Sequence, residues 1–194
     1  MNRKYLVIAM VIVVVAIIAG ISYTYVQSKF PAFHGSVITP PMPLQDFSLT
    51  RQDNTAVHLS DYRGKYVLVY FGFTNCTEEC PLTMGYLKQM YDKLGSLSSQ
   101  VMVVMITTDP NRDTPAALGE FLGHFNPAFV GLTASLTDLQ AVWKEFGVTV
   151  LSNFETHSSF VYLIDTQDNL IATYPTLQNA SDITADMKSI LKGK

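Results

Sequence analysis

Tyr66-Val-Leu-Val-Tyr-Phe-Gly-Phe-Thr-Asn-Cys76-Thr-Glu-Glu-Cys80-Pro81 is the stretch that orders the rest of the chain. Its first seven residues, Tyr66 to Gly72, are continuously apolar and rich in β-branched and aromatic side chains, which predicts a strand covered on both faces. Beyond it, Leu87, Met90, Tyr91 and Leu94 recur at helical spacing, and Pro81 stands where a first helical residue would be. Cys76 and Cys80, the only two cysteines of the 194 residues, therefore fall between a buried strand and a helix N-terminus. Proline disfavours the α region for the residue before it, so Cys80 is expected at or just outside the helix start, with Cys76 in the loop. The positive end of the helix dipole favours thiolate, whereas Glu78 and Glu79 oppose it. A thiolate is both the nucleophile of disulfide exchange and a ligand for soft metals.

Working outward, Phe47–Thr50 and Ala56–Leu59 flank Asp53-Asn54 and predict a hairpin. Val101–Ile106 reads as a second buried strand. Asp113-Thr114-Pro115 then opens a helix carrying Leu118, Phe121, Leu122 and Phe125. Phe129–Leu132 is a short strand. A capping box of Thr137 and Gln140 precedes a helix bearing Leu139, Val142, Trp143 and Phe146, closed by Gly147. Phe160–Ile164 and Leu170–Tyr174 form a second hairpin. Ser181 or Asp182 caps a last helix with Ile183, Met187, Ile190 and Leu191. This order resembles the thioredoxin fold, an α/β arrangement with a central mixed sheet flanked by helices, here with an added N-terminal β-hairpin. The dithiol follows the first central strand, where that fold places its redox site.

Lys and Arg number 13 against 16 Asp and Glu, a net charge of −3 without a basic stripe, which argues against nucleic acid as a partner. The positive mean hydropathy of +0.19 owes much to the N-terminus. Tyr5 to Ile21 is an uninterrupted apolar run behind Arg3 and Lys4, long enough for a transmembrane helix. The basic flank predicts a cytoplasmic N-terminus and an extracytoplasmic C-terminal domain on the cell membrane. A cleaved signal peptide is the competing reading, but its apolar region spans only about 7–15 residues. The expected organisation is an anchor over 1–27, a spacer over 28–43 broken by Pro31, Gly35, Pro40 and Pro41, and a domain over 44–194. Outside the membrane disulfides are permitted. A loop as small as 76–80 adds little chain-entropy stabilisation, so the pair reads as chemical rather than structural.

The three-residue gap departs from the C-x-x-C of ordinary dithiol oxidoreductases, and a closed zinc site would need four donors. Of the four histidines, His157 is the candidate third donor because it precedes the predicted strand at 160–164, in a loop that a thioredoxin-like layout brings toward the dithiol. Two thiolates and an imidazole suit Cu(I) and also accept Cu(II). A surface or hydrogen-bonding histidine is the alternative. His34, His58 and His124 lack a local partner and are assigned structural or solvent roles. Met102 and Met105 lie in a strand run and read as core. Asp109 and Arg112 read as a turn with a local ion pair.

Tyr62-Arg-Gly-Lys65, Tyr70-Phe-Gly-Phe-Thr-Asn-Cys76-Thr-Glu-Glu-Cys80-Pro81, Thr108-Asp-Pro-Asn-Arg-Asp-Thr-Pro115 and His157-Ser-Ser-Phe-Val-Tyr-Leu-Ile-Asp165 together resemble the Sco/SenC family. These are membrane-anchored copper proteins that act in cytochrome c oxidase assembly, and the resemblance covers about Leu44 to Leu191. It implies a thioredoxin-like fold and one copper per chain held by Cys76, Cys80 and His157. It also implies a role at the CuA centre of oxidase subunit II, either delivering copper or reducing the CuA cysteines as a thiol-disulfide oxidoreductase. In the second role Cys76 attacks and Cys80 resolves, and either role calls for a copper donor or a thiol reductant as a further partner. The chain departs from the family pattern at Thr77 and Glu78, where Pro and Asp are usual, and at Thr156, where Asp is common before the histidine. A peroxidase with Arg112 steering the peroxide is a third reading on the same fold.

Overall fold

The structure, a computed structural model, describes residues 4, 10, 12–18, 20, 33–151, 160–176 and 179–193. The chain divides into two units, Met1–Phe33 with Gly193–Lys194, and His34–Lys192. In the first, residues 12–18 are helical and exposed. Among the described residues no helix is long and apolar enough to cross a membrane, and positions 5–9, 11, 19 and 21 of the expected span lie outside them.

The second unit is built on β4 (Tyr66–Gly72), in which every residue after Tyr66 is buried. Its neighbours are β5 (Val101–Thr107), parallel to it, and β7 (Phe160–Ile164), antiparallel. Burial on both faces is what the unbroken apolar run requires. Adding β1 (Ser36–Pro43), β2 (Ser48–Arg51), β3 (Ala56–His58), β6 (Val130–Thr133) and β8 (Asn169–Pro175) completes a mixed eight-stranded sheet in the order β1-β8-β7-β4-β5-β6-β2-β3. The helices are α1 (Glu79–Leu94), α2 (Pro115–Gly123), α3 (Leu136–Glu145) and α4 (Ala180–Leu191). α1 packs against α4, and α2 against β6.

Side chains alternate along β4. Val67, Val69 and Phe71 join Leu139, Val142, Trp143 and Phe146 in one core. There the rings of Phe71, Phe146 and Tyr162 meet edge to face, with centroids 5.2–5.5 Å apart. Leu68, Tyr70 and Gly72 face the other way, toward α1.

Several local expectations differ from the structure. Residues 36–43, read as part of a spacer, form β1 and pair with β8 (Ser36 opposite Thr173, Pro43 opposite Asn169). The prolines that break periodicity are tolerated because β1 is an edge strand, whose outer side needs no amide donors. α1 begins at Glu79, two residues before Pro81, and encloses Cys80. Ser135 rather than Thr137 caps α3, its Oγ accepting from the Asp138 amide, and Asn179 rather than Ser181 or Asp182 caps α4. In Tyr62-Arg-Gly-Lys65 the structural work is done by Arg63, which meets the buried Asp168 at 2.6 Å, and by the Gly64 amide, which donates to the Thr166 carbonyl. The motif braces the β7–β8 turn.

His34 has a partner 152 residues away in sequence. The Asp186 carboxylate, 2% exposed on α4, accepts from the His34 and Gly35 amides, the Tyr174 hydroxyl and His34 Nδ1, the last at 2.8 Å. The Asp186 hydrogen bond raises the His34 pKa above its ordinary value, partial burial opposes this, and the charges of Asp186 and Asp182 reinforce it. A raised histidine pKa adds stability below the unfolded value, and that stability fades as pH rises through the folded value. His34→Ala is therefore expected to lower the thermal midpoint by about 2–4 °C at pH 6 and by less at pH 9. Thermal melts at the two pH values check this, and an equal loss at both would contradict the pairing.

Candidate metal centre

The end of β4 and the start of α1 place both sulfurs. Cys76 is partly exposed in the loop, Cys80 is fully buried in the first turn of α1, and both are free thiols. The Cys80 amide donates to Cys76 Sγ at 3.2 Å, an unpaired helix-start N–H turned onto a sulfur. On the inner side the Tyr70 hydroxyl donates to Cys80 Sγ at 3.2 Å. Burial pushes the Cys80 thiol up to about 12, against the lowering by the Tyr70 and Phe73 hydrogen bonds. For this sulfur, loss of water outweighs the hydrogen bonds that favour thiolate.

A cleft lined by Phe73, Asn75, Cys76, Thr77, Glu78 and Glu79 opens over the loop. Glu78 is exposed there, whereas Glu79 accepts a hydrogen bond from Thr176 Oγ1 beyond the end of β8. The two acids that the sequence treats alike thus have different surroundings.

The loop is clamped by Asp113, which the sequence shows in a helix-opening triplet and in the Thr108–Pro115 motif. Asp113, 1% exposed, accepts from the Thr74 amide at 3.1 Å and from the hydroxyls of Thr74 and Thr107, each at 2.6 Å. Burial raises its pKa, and these donors oppose the rise. Thr114, not Asp113, caps α2. Arg112 pairs with Asp109, the expected local ion pair, and also lies 6.0 Å from the Phe73 ring. The two loops thus meet through Asp113 below and Arg112 above. Nothing in the sequence signals a clamp between positions 39 residues apart, beyond the presence of Asp113 in a recognisable motif.

Cys76 and Cys80 are brought together as the sequence predicts. His157 lies outside the described residues. Among the described residues no group of three or more His, Cys, Asp or Glu side chains is placed to hold a metal. Two neighbouring sulfurs, Cys76 at a cleft and Cys80 buried behind it, fit a soft cation and leave it in need of a further donor. Met105 is fully buried and Met102 packs against the core, as their strand run predicts.

The chain is 32% identical over 178 residues to a SCO2-like protein of Rickettsia conorii, covering 80% of this chain and 83% of that one. Arabidopsis thaliana ScoI, solved with copper bound, superposes with a TM-score of 0.71 at 30% identity, covering 77% of this chain and 98% of that one. BsSco, a member of the Sco family of cytochrome c oxidase assembly proteins in which a disulfide switch is identified, superposes with a TM-score of 0.67 at 25% identity, over 80% and 96% of the two chains. With the SCO1/SenC family model matching residues 39–192 as well, the chain belongs to the SCO1/SenC family.

Proposed function

We propose that the protein is a copper-binding assembly factor that helps mature the CuA centre of cytochrome c oxidase subunit II. It carries one copper as cargo on Cys76, Cys80 and His157. The observation that carries this reading is the pair of free thiols joined through the Cys80 amide at 3.2 Å, with Cys76 lining an open cleft and Cys80 buried behind it. The copper-bound state of Arabidopsis ScoI supports the choice of metal. Support for His157 comes from sheet register: Val161 lies opposite Tyr70 in an antiparallel pair, so β7 begins at the end of the sheet where the dithiol loop leaves β4. The three residues from His157 to Phe160 reach at most about 10 Å. We place the domain outside the membrane, with residues 5–21 as its anchor and the N-terminus in the cytoplasm.

A second reading is favoured by the unequal exposure of the sulfurs. Cys76, partly exposed, suits attack on a partner disulfide, forming a mixed disulfide and releasing one partner thiolate. Cys80, buried behind it, then attacks Cys76 Sγ, closing the 76–80 disulfide and releasing the second partner thiolate. Two electrons pass to the partner, and a thiol reductant restores the dithiol.

Copper titration of the reduced full-length protein should give one site, lost in Cys76→Ala and Cys80→Ala and lost on oxidation to the disulfide. His157→Ala should weaken binding and change the spectrum; affinity and spectrum equal to the unaltered protein would remove the imidazole from the site. Asp113→Asn replaces an acceptor with an amide facing two donors. It should cost about 1–3 kcal/mol of stability and about tenfold in copper affinity, and unchanged affinity would show that the clamp does not shape the site. In a strain lacking the protein, added copper should restore oxidase activity, whereas rescue by reductant alone would favour the thiol-exchange reading. Protease added outside intact cells should digest the 34–192 unit, and full protection would refute the topology.

A further inference from the structure

Tyr70 and Cys80 are both fully buried, and the phenol O–H donates to Cys80 Sγ at 3.2 Å. Phenylalanine would fill the same volume without a polar atom, so a tyrosine here has to place its hydroxyl on an acceptor. Gly72 is what lets the two side chains meet. A Cβ on residue 72 would stand 2.6 Å from Tyr70 Cε1, which would force the ring to shift, and 3.1 Å from Cys80 Sγ, a tight contact. Tyr70 and Gly72 share the α1 face of β4, the first supplying the donor and the second the space for it.

A hydrogen bond into a sulfur lone pair draws electron density from that sulfur. On a metal-ligating sulfur it weakens donation to the metal. On a dithiol it stabilises the reduced form, because the donor holds a free sulfur more strongly than a disulfide sulfur, which is the weaker acceptor. Cys80 Sγ also has a backbone hydrogen bond from Phe73, whereas Cys76 Sγ receives the Cys80 N–H at 3.2 Å. The two sulfurs therefore differ in partner as well as in exposure.

We infer that Tyr70 is a positioning residue for the dithiol, its hydroxyl fixing Cys80 Sγ, favouring the dithiol over the disulfide and making Cys80 a weaker copper donor than it would otherwise be. The copper half of this inference rests on the function proposed above, and the dithiol half does not.

The test is Tyr70→Phe in the full-length protein in detergent. In its metal-free form, each protein dithiol reacts with one oxidised glutathione to give one protein disulfide and two reduced glutathiones. Loss of the hydroxyl should move this equilibrium about three- to tenfold toward the disulfide, a midpoint about 15–30 mV more negative. In the Cu(II)-loaded form, the sulfur-to-copper charge-transfer absorption should move to longer wavelength. Tyr174→Phe is the control: it removes another buried phenol, bonded to Asp186 at 3.2 Å, and should leave both readouts unchanged. An unchanged glutathione equilibrium in Tyr70→Phe, or an equal shift in Tyr174→Phe, overturns the inference. If the unaltered protein takes up no copper, the proposed function fails while the glutathione measurement still decides the role of Tyr70.

Discussion

Asp113 is the tie on which the dithiol end of the molecule depends. β4 and β5 run parallel, so the loops leaving them emerge side by side at one end of the sheet. Neither loop has a ladder partner there, and their polar groups need acceptors out of reach of water. One carboxylate supplies them, taking the Thr74 amide and hydroxyl from the first loop and the Thr107 hydroxyl from the end of β5. The Thr108 amide adds a cross-loop bond to the Gly72 carbonyl at 2.8 Å. Cys76 lies two residues beyond Thr74, so its sulfur is held by a loop that is itself held.

The second constraint is the burial of Cys80. A sulfur without water must be satisfied by donors, a proton or a cation. Donors come from the Phe73 backbone and from the Tyr70 hydroxyl on the core side, beside a residue 72 whose Cβ would displace the Tyr70 ring. Cys76 faces the cleft and solvent. The outcome is one guarded sulfur in the first turn of α1 and one available sulfur in the loop four residues before it, an asymmetry compatible with either metal capture or disulfide exchange.

The backbone was legible in the sequence where local pattern and burial agree. Tyr66–Gly72 is a strand over the residues its apolar run marks, and the helix following Asp113-Thr114-Pro115 starts at Pro115. Periodicity reports which face is buried, but it does not report partners distant in the chain. Thus β1 hid behind its prolines, His34 looked solitary although it meets Asp186, and Asp113 read as a helix opener although it clamps Thr74. The Tyr70–Cys80 contact is only ten residues apart, yet it too was invisible. It requires strand alternation, a missing Cβ and a helix that begins before its proline, all at once. At the candidate site the sequence pointed to the two sulfurs, while His157 as a third donor rested on its place before a strand and on the family resemblance.

The central claim is that two sulfurs and one imidazole of this chain converge on a single copper ion. X-ray absorption at the copper edge, on the full-length protein loaded with one equivalent, tests it most directly. The account predicts two sulfur scatterers and one imidazole nitrogen about each copper, with the nitrogen lost in His157→Ala. One sulfur per copper, or a nitrogen that survives that substitution, would contradict it.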